Sequence, residues 1–226
     1  MAKIVFDVET AGRDFESLDE TSKEFFLKFA ETDQEKEDAR NSLSFFPVTA
    51  EIITIGMVEV ETEKAFVYFQ NGNQPHRSVK GDVTYIAGSE KEILHHFWNH
   101  LKNYTHFVTF NGRCFDCPFV MLRSAIHGIR GHKNLMPYRY AITPHVDLAD
   151  QLSFYDALRR KFSLHMWCTA FGIPSPKEEG MTGLQVKDFY KAGRYLDIAR
   201  YCLGDIYATK KLFQYWDQYL KFESKY

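Results

Sequence analysis

Ile4-Val5-Phe6-Asp7-Val8-Glu9-Thr10 is a short apolar run with carboxylates on alternate positions, ending at a turn. The alternation predicts a strand, and residues i and i+2 of a strand share a face, roughly 6.6 Å apart at about 3.3 Å per residue. Carboxylate oxygens on that spacing can lean together and hold two divalent cations about 3.5–4 Å apart, as two-metal phosphodiester chemistry requires. Alone, an Asp-x-Glu reads more simply as two solvated acids at a strand end. The rest of the chain decides between these readings.

Outward from this strand, the charged stretch from Arg13 to about Phe46 has helical character. Thr21 with Glu24 fits a capping box there, and Phe25 and Phe29 are i,i+4 neighbours. At 34 residues it is long for a connection and reads as a helical insertion, a lid or a partner surface. Residues 51–60 and 64–69 pattern as a hairpin. Helical spacing over 89–104 sets Ile93, Phe97 and Leu101 on one face. His106–Phe110 then reads as a strand, Asp116–His127 as a helix, and His145–Leu148 as a short strand. Leu164–Phe171 and Arg194–Tyr219 read as helices. Early strands followed by strand–helix alternation indicate an α/β fold with a mixed sheet.

The 226 residues are most simply a single domain, 1–226, large enough to bury a core without staples. No run of 18 apolar residues occurs, and the N-terminal apolar stretch is broken by Asp7 and Glu9, so neither a membrane span nor a signal peptide is expected. Four cysteines without an export signal are read as reduced thiols, and the location as cytoplasmic. A net charge of −2 carries no global basic footprint, though residues 11–40 hold ten acids against five bases and residues 122–161 seven bases against three acids.

Two further segments complete a pattern. Asn111-Gly112-Arg113-Cys114-Phe115-Asp116 sits where a strand turns into a helix, with Asp116 at the helix start, where an acid also serves as a cap. Tyr201-Cys202-Leu203-Gly204-Asp205 lies in the last helix, where i,i+4 spacing puts the phenol and the carboxylate on one face. In order, these are Asp-x-Glu, Asn-x3-Phe-Asp and Tyr-x3-Asp, spanning residues 7–205. The set resembles the DEDD superfamily of 3′–5′ exonucleases in its tyrosine variant, and within it the proofreading exonuclease domains of family-B DNA polymerases and their free-standing relatives.

That resemblance implies a ribonuclease-H-like fold, a mixed five-stranded sheet flanked by helices, with the insertion at about 13–46 following the first strand. It implies that Asp7, Glu9, Asp116 and Asp205 bind two divalent cations, Mg²⁺ or Mn²⁺, with Tyr201 positioning the attacking water. Asn111 and Phe115 match the middle motif as residues that order the site or meet the terminal base, and Thr10 joins them as a substrate-binding candidate. Asp147 either assists the metal or substrate end or is a buried structural hydrogen-bonding residue. The substrate implied is a 3′ end of single-stranded DNA or RNA, released as 5′-nucleoside monophosphates, with a replication or repair protein as partner. A non-catalytic nucleic-acid-binding module and an RNA-trimming enzyme are the alternatives. A tyrosine with an ordinary pKa of about 10 is a poor base at neutral pH, so Tyr201 is assigned orientation.

Other patterns carry less. Cys114-x-x-Cys117 lacks a second pair for zinc and brackets Asp116. His96 and His100 stand i,i+4, but Phe97 occupies the place of the zincin glutamate, so a solvated helix face is expected. His145 and His165 are open as cleft residues. Strand contact is assigned to Arg113, Arg130, Lys133, Arg159, Arg160 and Lys161, with Phe115 and Phe154 stacking on bases.

Overall fold

The computed structural model describes residues 2–175 and 183–222. Strand β1 (Lys3–Gly12) lies inside a mixed sheet, with β2 (Ala50–Glu59) antiparallel on one side and β3 (Ala65–Phe69) antiparallel to β2. On the other side β6 (His106–Thr109) and β7 (His145–Asp147) run parallel to β1. These are the five expected strands. Two more, β4 (Arg77–Lys80) and β5 (Val83–Ala87), extend the β3 edge, so among the described residues the sheet has seven strands in the order β4-β5-β3-β2-β1-β6-β7. The count differs from the sequence expectation for a physical reason. β4 is Arg-Ser-Val-Lys, a largely exposed, charged edge strand with no apolar face to mark it. β5 owes its place to parallel pairing with β3, from Ala65↔Val83 to Phe69↔Ala87.

The period-2 pattern of β1 feeds two cores. Ile4, Phe6 and Val8 pack with α3 (Glu90–Leu101) and α4 (Asp116–Ile126) on one face of the sheet. Val5 points to the opposite face, against α5 (Leu148–Leu152), α6 (Leu164–Ala170) and the 25-residue α8 (Tyr195–Tyr219). Asp7 and Glu9 share the parity of Val5 and so belong to the α8 side. A short helix, α7 (Val186–Lys191), packs beside α8 and the end of β1 through Val186, Ile198 and Ala11. Helix α3 starts at a true capping box, Ser89 with Glu92, and buries Ile93, Leu94, Phe97, Trp98 and Leu101. Each such buried side chain contributes about 1.5–3 kcal/mol relative to exposure.

Residues 13–46 are helical, as expected: a 3₁₀ turn at Phe15–Ser17, α1 (Glu20–Leu27), α2 (Asp33–Asn41) and a second 3₁₀ turn at Ser42–Phe45. The capping box expected at Thr21 and Glu24 is not formed. Asp19 caps α1 instead, because its carboxylate accepts from both the backbone N–H and the hydroxyl of Ser22. The reciprocal box occurs one helix later, at Thr32 and Glu35.

Candidate active site

Strand β1 outruns its parallel neighbour. Pairing with β6 stops at Val5↔Val108, which leaves the β6-side edge of β1 open beyond that point. The carboxyl end of parallel strands is where α/β sheets commonly form a ligand crevice. The N–H of Val8 emerges there, and Asp116 Oδ1 accepts from it at 2.9 Å. Asp116 is therefore not the cap of α4: the cap position is Phe115, with no side-chain cap bond. It is fastened to the strand that carries Asp7 and Glu9.

The turn before α4 is shaped for this. Asn111 has φ 60°, a left-handed conformation that asparagine tolerates better than most residues. A Cβ on Gly112 would lie 2.4 Å from Thr109 Oγ1, so the chain passes too close to β6 for any side chain. From the other face, α8 brings Tyr201 and Asp205, one turn apart. Its approach depends on Gly56 of β2, the register partner of Asp7, where a Cβ would lie 2.8 Å from Cys202 Sγ. Asp7, Glu9, Asn111, Phe115, Asp116, Tyr201 and Asp205 thus line one cleft of about 470 Å³.

The cleft is electrostatically strained without a cation. Burial pushes the carboxyls of Asp7 and Glu9 well above the usual range, and the negative charges of Asp116 and Asp205 push both further. Asp116 rises to about 7, mainly through burial, against the opposing bond from Val8 N–H. Tyr201 rises too, through burial and then the carboxylates of Asp205, Glu9 and Asp7, so its phenol stays protonated at neutral pH. No Lys, Arg or His among the described residues lies within ion-pair distance of Asp7, Glu9 or Asp116. Crowded hard oxygen donors of this kind fit divalent cations such as Mg²⁺ or Mn²⁺.

A model of a family described as predicted 3′–5′ exonucleases related to the exonuclease domain of PolB matches residues 44–223. The chain belongs to this family. In structure it is similar to the family-B DNA polymerase of the hyperthermophilic archaeon Pyrobaculum calidifontis, with a TM-score of 0.61 at 15% identity, over 95% of this chain and 24% of the polymerase chain. The chain thus spans about a quarter of that polymerase, and the likeness concerns the fold. No curated protein matches the sequence.

Not every expected site residue of this exonuclease-family member faces the cleft. Thr10 has the opposite strand parity to Glu9, and a register shift follows Glu9; its hydroxyl donates to Ser44 O at 2.7 Å, tying β1 to the insertion. Asp147 is 3% exposed and its two oxygens accept from Asn111 N–H and Arg113 N–H, both 2.8 Å, and Ala149 N–H, 3.0 Å. Of the two roles open to it, the buried structural one matches this geometry, and it steadies the Asn111 turn from behind.

The expected cation surface is also redistributed. Arg113 spends its guanidinium on the carbonyls of Pro137 and Tyr138. Arg130 and Lys133 lie around Trp98, away from the cleft, and Phe154 lines a separate hollow with Trp216. Lys161 does reach the cleft, beside exposed Arg159 and Arg160. His165 lines the cleft as well, whereas His145 is buried against Phe107 and shares a hydrogen bond with Thr109. His96 is exposed, as expected, while His100 is half-buried. His96 stacks on Tyr68 at 5.0 Å, and His100 bonds the hydroxyls of Tyr68 and Tyr104.

Two features escape a motif reading. Cys202 is fully buried with Sγ 3.7 Å from both the carbonyl and Oδ2 of Asp7, so its thiol is a weak donor that braces the carboxylate. Its place between Tyr201 and Asp205 was the available signal. Arg139 donates to Asp150 at 2.6 and 3.0 Å and to Asp156 at 2.8 Å, which neutralises two more acids of the cleft wall. Phe162 and Trp167, packed edge-on at 5.8 Å, give that wall an aromatic surface.

Proposed function

We propose that the protein is a metal-dependent 3′–5′ exonuclease that hydrolyses the terminal phosphodiester of single-stranded DNA or RNA and releases 5′-nucleoside monophosphates. The observation that carries this reading is the convergence of Asp7, Glu9, Asp116, Tyr201 and Asp205, from three distant segments, on one cleft. Asp7, Glu9, Asp116 and Asp205 would hold two divalent cations, which when bound supply Lewis-acid stabilisation of the attacked phosphate and of the departing 3′ oxygen. The overall reaction adds water across the last P–O3′ bond. The phosphate stays on the terminal nucleoside's 5′ oxygen, and the shortened strand keeps a new 3′ hydroxyl.

The residues of the chain act around that step. Tyr201, held protonated, acts by hydrogen bonding and orients the attacking water instead of removing its proton. Asp116, tied to Val8, and Asp7, braced by Cys202, hold fixed positions at which a phosphate can be placed. Phe115, Phe162 and Trp167 offer apolar rings against which unpaired bases stack, at about 1–3 kcal/mol per base. Lys161, on the cleft rim, supplies a cation for the strand behind the terminal phosphate.

Purified protein with Mg²⁺ or Mn²⁺ should shorten a 5′-labelled oligonucleotide stepwise from its 3′ end, and Asp7→Ala or Asp205→Ala should stop it. Parallel digestion of matched DNA and RNA assigns the sugar. Intact oligonucleotides of both kinds under both metals would sink the proposal.

A further inference from the structure

The insertion presents a surface that the rest of the fold does not use. Neither α1 nor α2 buries a single residue. Yet Phe25 and Phe29 are 74% and 84% exposed, and Phe45, Phe46 and Val48 are 50%, 42% and 69% exposed. The rings are not scattered. Phe25 meets Phe26 edge-on at 5.6 Å and Phe26 meets Phe46 at 5.7 Å, so α1 and the turn after α2 share one aromatic strip. Phe29 follows Phe25 one turn on. Contiguous exposed apolar surface rimmed by polar residues is the mark of an interaction site.

We propose that this strip is a docking surface for a protein partner whose matching face is basic around an apolar centre. Charge selects that occupant. Residues 11–40 carry ten acids against five bases, and most of the bases are already engaged locally. Lys23 pairs with Glu16 and Glu20, Lys36 with Asp33, Arg40 with Glu37, and Lys28 lies over the Phe29 ring. Among the described residues, Glu24, Glu31, Glu35 and Asp38 have no cation within ion-pair distance. A nucleic-acid strand and an anionic lipid surface are repelled by this rim, and the same strip on a second copy carries the same charge. A basic protein face gains both the rings and the unpaired acids, the arrangement of an apolar centre within a charged rim.

The surface is fastened to the site's own strand. Thr10 donates to Ser44 O and Gly12 N–H donates to Ser44 Oγ at 3.0 Å, both in the segment that ends the insertion. A partner held on the strip is therefore held at a set position relative to Asp7 and Glu9. The family match begins at residue 44, so α1 and α2 lie outside it. Phe45, Phe46 and Val48 of the strip lie inside it, and the inference is independent of the reaction proposed above.

The test uses the full chain and a fluorescent amphipathic helical peptide of Leu and Lys, with a Leu/Glu peptide as control. The Leu/Lys peptide should bind, and Phe25→Ser/Phe29→Ser should weaken it at least about tenfold while oligonucleotide digestion and thermal stability stay unchanged. Glu24→Lys/Glu31→Lys should weaken it as well. Hydrogen exchange should show protection within residues 20–48. Equal binding by wild type and the Phe variant, or protection elsewhere, overturns the proposal. So do a dimer in sedimentation that the Phe variant abolishes, and an oligonucleotide affinity that falls in that variant.

Discussion

Tyr201 and Asp147 show how little residue type says until its surroundings are known. A phenol at the surface titrates near 10, but this one is buried among carboxylates and is pushed further up. Tyr201→Phe keeps the ring and removes the hydroxyl. We expect kcat to fall by up to roughly 10²-fold, the scale of a misplaced reactant, with KM for the oligonucleotide nearly unchanged. Steady-state digestion measures both. Asp147 shares its residue type with the site acids but turns its oxygens toward three backbone N–H groups. Asp147→Ala leaves those donors buried without a partner, at about 1–3 kcal/mol each. Denaturant unfolding should show the loss. A normal unfolding curve with a raised KM would instead return Asp147 to the substrate. In the sequence, Asp147 and Asp116 were both candidates for the site; the direction of the side chain separates them.

At the scale of elements, the site is a junction between β1 and α8, and its tolerance is set by Gly56. The helix approaches so closely that a Cβ there would meet Cys202 Sγ at 2.8 Å and Ile206 Cγ2 at 3.2 Å. Gly56→Ala should therefore displace α8, cost about 1–3 kcal/mol as overpacking does, and lower activity beyond the stability loss. Thermal melts with digestion at a temperature where the variant is folded separate the two effects. Elements with a strong internal pattern were legible beforehand: β1 from its alternation, α3 from its apolar stripe, α8 from its length and periodicity. β4 was not, because an exposed edge strand has no buried face to advertise. The cap of α1 was misplaced because two candidate caps lie two residues apart and the local geometry at Asp19 satisfies more donors.

For the whole molecule, the carboxylate cluster links stability to pH and to cations. Asp7, Glu9 and Asp116 all hold their protons more tightly folded than unfolded, Asp116 to about 7. Between the ordinary carboxylate range near 4 and that raised value, the folded state binds more protons than the unfolded one, so stability falls as pH rises through the window. Acids with lowered values, such as Glu90 beside Arg123 and His127, act oppositely, but their contribution is already complete above about pH 5. Burial holds His145 down at about 3 and lowers His96, His100 and His106 as well, and these oppose the trend up to about pH 6.5, so the comparison belongs above it. The metal-free protein should melt at a lower temperature at pH 8 than at pH 6.5. Mg²⁺ should reverse this, adding about 2.7 kcal/mol at a hundred times its Kd, or roughly 5–10 °C for a chain of this size. Scanning calorimetry with and without EDTA checks it. A cation effect equal at both pH values, or undiminished in Asp7→Ala, would contradict the assignment.

The sequence by itself determined which residue types were available for the chemistry and which lay on the same side of their own elements. Asp7 with Glu9, and Tyr201 with Asp205, follow from periods of 2 and 3.6, which are local geometry. Tertiary structure decided everything that depends on contact between distant segments. Asp116 came to the cleft because β1 outruns β6 and leaves Val8 N–H to be satisfied. Thr10 and Asp147 left it because nearer backbone groups claimed their oxygens. Cys202 came to lie against Asp7, behind the cleft, because a glycine on another strand gave α8 room to close. Hydrogen-bond satisfaction and close packing act between segments far apart in the chain, and no pattern within one segment encodes them.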